Sequence, residues 1–175
     1  MRVTFPRLPD HERAYSLVER DDGVVYRMYS GVCGPKLPHD IMHLVVEREL
    51  RITDGIWAGI AAGVVFSSMT YVSGRRSPHA ADRSKRLVKQ FRDQGLRAEL
   101  LADLVSSTAA LDSPTADRIR RLAAVKLAVL PTADAEVDPA VISVAAQALQ
   151  VEAARWARLR IGEHLDYDWP VFSGA

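Results

Sequence analysis

Apolar and polar residues alternate in two runs near the start of the chain, which is the period of half-buried strands. The runs cover residues 14–20 and 24–30, and an Asp-Asp-Gly sequence separates them. An Asp-Gly pair between two such runs is a strong signal for a β-hairpin. Residues 3–5 and the alternating tail 165–169 are suited to join the same sheet. The pattern therefore predicts a small antiparallel sheet that both ends of the chain can build.

Helical patterns dominate the remainder of the chain. A first helix is predicted over residues 38–51, because proline is favourable in a first helical turn. The pairs at 77–78, 113–114 and 138–139 each place serine or aspartate before proline, which signals the start of a helix. Strands and helices are thus segregated along the chain. We expect an α+β fold, mostly helical with about five helices, in which residues 1–175 form a single domain.

Residues 55–73 carry no charge, and glycines recur there at positions 55, 59 and 63. We predict a core helix that Thr53 or Asp54 caps and that runs to about Ser68. The length and glycine spacing also resemble a membrane span. The serines and threonine near the end of the segment dilute its hydrophobicity, so the core helix is favoured and no membrane span is expected.

The composition is that of an ordinary folded domain, with 48% hydrophobic and 26% charged residues. The formal net charge of +1 gives no indication of a polyanionic partner. Cys33 is the single cysteine, so no intrachain disulfide can form. The N-terminal residues lack the apolar core of a signal peptide. These features predict a cytoplasmic protein.

The predicted helix over 38–51 gathers two histidines and two carboxylates among apolar residues. His39 and His43 lie four residues apart, so they share one face, and Glu47 continues that face. Asp40 and His43 form the carboxylate-x-x-His pair that occurs in helical metal sites. Imidazole and carboxylate ligands suit Zn, Fe or Mn. We therefore predict a divalent-metal site with His39, Asp40, His43 and Glu47 as candidate ligands.

The rise of the helix restricts this set. His39 and Glu47 are separated by about 12 Å along the axis, so one ion can hardly bind both together with His43. The expected kernel is His43 with His39 or Asp40, while Glu47 is a third ligand, a support for the imidazole, or a base. Any remaining ligand must come from a distant part of the chain. Three side chains are candidates: His79, His164 and Asp166.

A metal in this place predicts a metal-dependent enzyme of the hydrolase type. The cation would lower the pKa of a bound water, and Glu47 or Asp40 would be the catalytic base. A structural alternative needs no metal, because Asp40 can cap the helix and His43 can bond to Glu47. The substrate is not indicated by any motif in the chain.

Two non-catalytic functions remain as alternatives. Residues 141–159 form an alanine-rich helix with a stripe of Ala145, Leu149, Glu152 and Trp156, which is either core or the seam of a homodimer. A basic helix face could instead contact a nucleic-acid backbone, although no aromatic residues are interleaved with it, so this partner is not favoured. Its residues are Lys85, Arg86, Lys89 and Arg92.

The stretch GPKLPHDIMHLVVE over residues 34–47 resembles one found in short bacterial proteins of unknown function, mostly actinobacterial. That resemblance implies no activity. The His-Asp-x-x-His core is also similar to the zinc motif of a family of quinone-biosynthesis proteins. In that family a glutamate follows twelve residues after the second histidine, and this chain has Gly55 there. The similarity leaves metal binding by His39, Asp40 and His43 open.

Overall fold

The structure, a computed structural model, describes residues 1–131 and 135–170, without the side chains of residues 90 and 92–94. Five strands form one sheet in the order β4-β3-β2-β1-β5, with every neighbouring pair antiparallel. The strands are β1 (Arg2–Pro6), β2 (Arg13–Glu19), β3 (Val25–Val32), β4 (Met69–Ser73) and β5 (His164–Asp168).

Five helices have both ends within the described residues. They are α1 (His39–Glu49), α2 (Ile56–Ala62), α3 (Ala80–Ala109), α4 (Ala116–Lys126) and α5 (Pro139–Arg158). Helices and strands are segregated along the chain, apart from β4, so the α+β class and the approximate number of helices predicted from the sequence are confirmed.

One face of the sheet is buried, because alternate residues of the strands point into the core. Phe5 of β1 meets Trp57 of α2 edge to face at 5.8 Å between ring centroids. It meets Tyr167 of β5 in the same manner at 5.7 Å. The core therefore lies between the sheet and the helices, and both chain ends contribute to it.

The predicted hairpin and its neighbours are confirmed. β2 and β3 flank a turn in which Gly23 has a φ of 75°, which is the left-handed region that glycine adopts easily. The tail forms β5 and pairs with β1, with Val3 opposite Tyr167. The period-two pattern at both ends of the chain thus identified four of the five strands.

The prediction of a single helix up to Ser68 is wrong. α2 ends at Ala62, because Gly63 has a φ of 114° and stops the helix in the left-handed conformation. The chain then turns and adds β4 to the edge of the sheet beside β3. None of the helices within the described ranges is both long enough and apolar enough to cross a lipid bilayer.

The predicted starts of the last three helices are right to within a few residues. Asp138 caps α5 by accepting a hydrogen bond from the Ala140 N–H at 2.8 Å, with Pro139 following it. α4 begins after Thr115, and α3 begins after His79, which has a φ of 57°. α3 continues unbroken through Gly95.

The stripe predicted for the alanine-rich helix is core and not a dimer seam. Ala145, Leu149, Glu152 and Trp156 are all buried within the chain. The Glu152 carboxylate accepts a hydrogen bond from the Tyr167 hydroxyl at 2.6 Å and two from Arg155 at 2.9 Å. Burial raises the pKa of the Tyr167 phenol, so this hydroxyl stays protonated as a donor.

Replacing Tyr167 by phenylalanine is expected to lower the free energy of unfolding by about 1–3 kcal/mol, because the buried Glu152 carboxylate loses a donor. Urea denaturation measures the change. Tyr71→Phe is the matched control, since the Tyr71 hydroxyl bonds to the Gly74 carbonyl at an exposed position and its loss should cost about 0.5 kcal/mol or less. Equal effects of the two variants would contradict a stabilising role for the buried pair.

Candidate metal centre

His39 and His43 lie on the first turns of α1, with 4.4 Å between their ring centroids. The helix enters the core directly after Pro38, because four apolar residues near its start are fully buried. This burial carries His43 into the interior and leaves His39 exposed at the surface. The four apolar residues are Ile41, Leu44, Val45 and Val46. The structure therefore brings together the two histidines that the helical spacing paired.

His43 is 1% exposed, and neither of its ring nitrogens has a hydrogen-bond partner among the described residues. Its Nε2 lies 3.3 Å from Oε2 of Glu99. Its Nδ1 lies 3.8 Å from Oε1 of Glu47, which is longer than a hydrogen bond. Burying an imidazole without hydrogen-bond partners lowers the stability of the fold, so a buried histidine of this kind is an indication of a ligand.

Glu99 of α3 completes a group with His39 and His43. One ligand atom from each of the three residues lies within 4.8 Å of the others. Glu99 is 51% exposed, so the group has one buried and two accessible members. In a tetrahedral zinc site, neighbouring ligand atoms are separated by about 3.3 Å. The separation between His43 and Glu99 already matches that value, and the exposed His39 and Glu99 have room to adjust.

The charges around His43 change its protonation. Burial alone would lower the pKa of the imidazole, but the carboxylates of Glu47, Glu99 and Asp40 raise that pKa above its ordinary value. A site with this charge balance attracts a cation, either a proton or a metal ion. The two compete for the same nitrogens.

Glu47 lies outside this group of three. Its side chain is fully buried, and its two oxygens accept hydrogen bonds from the N–H groups of Ile56 and Trp57 at 2.9 and 3.0 Å. Glu47 therefore caps α2, so the predicted capping by Thr53 or Asp54 is wrong. Both oxygens are therefore engaged by α2, and the carboxylate lies on the Nδ1 side of the His43 ring, away from Glu99.

Gly55 makes this cap possible. A Cβ built on Gly55 would lie 2.3 Å from Cδ of Glu47, which no side chain could tolerate. The space beside the Cα of Gly55 is filled by the carboxylate of Glu47. Gly55 and the capping carboxylate of Glu47 therefore fit only together.

Asp40 is half-buried beside the two histidines and is also outside the group of three. Burial raises the pKa of its carboxyl, and a hydrogen bond from Ser30 together with the nearby histidines offsets part of that rise. Its backbone carbonyl accepts a hydrogen bond from Nε1 of Trp57 at 3.0 Å. Asp40 therefore ties α1 to α2 and keeps its carboxylate next to the imidazoles.

The distant ligands suggested by the sequence do not reach this place. His79 precedes α3, and His164 contacts Asp166 at 3.4 Å within β5. Glu99 is not among the ligands predicted from the sequence, because more than fifty residues separate it from His43. Its neighbours Ala98 and Leu101 mark a buried face of α3, but the packing of α3 on α1 has no signature in the sequence.

No protein-family model matches this chain, and neither a curated protein nor a solved structure matches it significantly.

Proposed function

We propose that the chain binds one divalent cation through His39, His43 and Glu99 and uses it to activate water in a hydrolytic reaction. The observation that carries the proposal is the buried His43, whose nitrogens lack hydrogen-bond partners within the described structure and whose Nε2 faces a carboxylate. A metal ion would satisfy this nitrogen and hold the two accessible ligands at the same time.

Two imidazoles and one carboxylate are a ligand set that catalytic zinc sites use, and Fe or Mn are the other candidates. Three protein ligands leave a coordination position for water. Because His39 and Glu99 are exposed, this position would open to the surface. The cation would lower the pKa of that water and so supply a nucleophile near neutral pH.

The two remaining carboxylates would have different roles. Glu47 would be a positioning residue, since it lies behind Nδ1 of His43 and is held rigidly by α2. Asp40 would accept the proton from the nucleophilic water, because burial keeps its pKa above the ordinary value and it lies beside both histidines.

A cavity of about 420 Å³ between α2 and α3 is a candidate place for the substrate. Gly95 lines it one helical turn before Glu99, and Gly55 lines it where that residue abuts Glu47. Apolar side chains such as Phe66 and Phe91 form much of its wall. The size and lining suit a small molecule with an apolar part. We further propose a cytoplasmic location, consistent with the free buried thiol of Cys33.

Glu99→Gln is expected to weaken zinc binding by about tenfold or more, since the amide cannot supply the negative charge of the third ligand. Competition with a chromophoric chelator measures the affinity. Asp103→Asn is the matched control, because Asp103 is also an exposed carboxylate of α3 and pairs with Lys126. Unchanged affinity in Glu99→Gln would show that Glu99 is only an ionic neighbour of His43.

A further inference from the structure

A second cavity, of about 630 Å³, lies between the sheet and the beginning of α3. The ends of β2 and β3, part of β4 and the first turns of α3 surround it. Its volume is within the range of small-molecule sites. Arg83 and Glu99 are sixteen residues apart on α3, which is about 24 Å of helix. The cavity is therefore remote from the candidate metal centre.

Positive charge dominates this cavity. Its described lining contains four cationic side chains and a single carboxylate, that of Asp22. Asp22 is already engaged, because one oxygen accepts a hydrogen bond from Arg20 at 2.6 Å and the other accepts the Val24 N–H at 3.2 Å. The cavity thus has an excess of positive charge, because Asp22 pairs with Arg20 alone. The other three cations in the lining are Arg76, Arg83 and Lys85.

Arg20 is the buried member of this set. Its side chain is 8% exposed, and its Nε is buried with no hydrogen-bond partner within the described residues. The guanidinium lies 5.9 Å from the ring centroid of Tyr26, and Asp22 holds one of its terminal nitrogens. These contacts hold the guanidinium in one orientation. They do not replace all the hydrogen bonds with water that it loses on burial.

Arg83 converges on the same point. A Cβ built on Gly63 would lie 3.2 Å from one terminal nitrogen of Arg83 and 3.6 Å from one of Arg20. Gly63 has no side chain to separate the two guanidiniums, and its φ of 114° disfavours any replacement. Arg83 forms no ion pair or hydrogen bond with the described side chains. Two like charges close together repel one another, and an anion between them would be attracted by both.

The beginning of α3 adds to this field. Ala80 and Ala81 line the cavity, and among the described groups no side chain caps the helix. The N–H groups of a first helical turn carry partial positive charge. That of Ala80 donates to the Ser77 carbonyl at 3.2 Å, and the Asp82 carboxylate in the same turn offsets part of the charge. For a helix of thirty residues this end is a favourable neighbour for an anion.

We propose that this cavity binds a phosphorylated small molecule. The guanidiniums of Arg20 and Arg83 would hold the phosphate, because their planar forks match its oxygens. The rings of Tyr26 and Tyr71, which also line the cavity, would contact the remainder of the ligand. Arg76, Arg83 and Lys85 are exposed, whereas Arg20 is buried in the wall of the cavity. A buried cation in a concave site favours a small ligand over a nucleic-acid backbone.

Pyrophosphate is the probe, and isothermal titration of the full chain measures its binding. We expect saturable binding by the wild type and a loss of about tenfold or more in Arg83→Ala, since each charge-assisted hydrogen bond makes a large contribution. Arg86→Ala is the control, because Arg86 is exposed on the same helix but does not line the cavity. Its affinity should stay within about twofold of the wild type.

Thermal unfolding gives a second readout that separates binding from ionic strength. Pyrophosphate should raise the melting temperature of the wild type above its value in sodium chloride of equal ionic strength, and Arg83→Ala should lose that difference. The proposal is overturned if the wild type shows no saturable binding, or if Arg83→Ala binds as the wild type does. It is also overturned if a single-stranded oligonucleotide binds more tightly than pyrophosphate, and if Arg86→Ala weakens that oligonucleotide binding as much as Arg83→Ala does.

Discussion

Replacing Glu47 with alanine is expected to lower the free energy of unfolding by about 3 kcal/mol. The carboxylate is fully buried, and it is the partner of two N–H groups that begin α2. Each buried donor left without a partner costs about 1–3 kcal/mol, and the removed side chain also leaves a cavity. The largest loss of stability should therefore come from a residue whose chemistry looks catalytic in the sequence. Urea denaturation at neutral pH measures it.

Two further variants show which property of Glu47 matters. Glu47→Gln keeps one acceptor oxygen, so its loss should be about half as large. Glu49→Ala is the control, because Glu49 is half-buried at the end of the same helix and pairs with Arg48 at 3.0 Å; it should cost about 1 kcal/mol or less. If Glu47→Ala were as mild as Glu49→Ala, the carboxylate would not be the structural cap of α2.

His43→Leu is expected to abolish the stabilisation that zinc gives to the protein. At a zinc concentration one hundred times its dissociation constant, the wild type should gain about 2.7 kcal/mol, and the variant should gain nothing. Without metal, the variant should be at least as stable as the wild type, since leucine fills a similar volume and has no buried polar atom without a partner. Chemical denaturation with and without zinc measures both effects.

His164→Leu is the control for this experiment. His164 is exposed on β5 and lies outside the group of three potential ligands, so the gain with zinc should persist. If His43→Leu instead gave the opposite results, His43 would be a structural histidine. In that case His43→Leu would destabilise the protein in the absence of metal, because the imidazole would be held by Glu47 and Glu99, and zinc would not stabilise the wild type.

The parts of the fold that sequence predicted well are those with local causes. Alternation around the Asp-Asp-Gly turn predicted β2 and β3, and the same period in the tail predicted β5. The Asp138–Pro139 start of α5 is likewise local, since the capping side chain and the capped N–H are two residues apart. Such signals need no knowledge of the tertiary structure.

The errors around α2 have a tertiary cause. Thr53 and Asp54 are suitable types of capping residue, but the residue at the N-cap position is Gly55. The first N–H groups of α2 donate instead to the Glu47 carboxylate of the preceding helix. The end of α2 depends on the conformation of Gly63, and glycine in an apolar run does not reveal whether it continues or stops a helix. β4 was not predicted either, because the helix was expected to run to about Ser68 and residues 69–73 directly after it were assigned to no element.

In the candidate site, too, the residues on one helix could be predicted from the sequence and the residue from a second helix could not. The spacing of His39 and His43 on one helix was sufficient to pair them, because α-helical geometry alone determines which residues are neighbours. Glu99 comes from another helix, and its approach to His43 depends on how α3 packs against α1. The role of Glu47 as a cap could not be predicted from its spacing to the histidines, because its carboxylate occupies space that is open only where residue 55 is a glycine.

The metal content of the protein after dialysis tests the central proposal most directly. Wild type and His43→Leu are loaded with zinc, dialysed side by side against metal-free buffer, and analysed for zinc and for protein. We predict about one zinc ion per wild-type chain and essentially none in His43→Leu. Equal zinc contents in the two proteins, or none in the wild type, would contradict a metal centre at His39, His43 and Glu99.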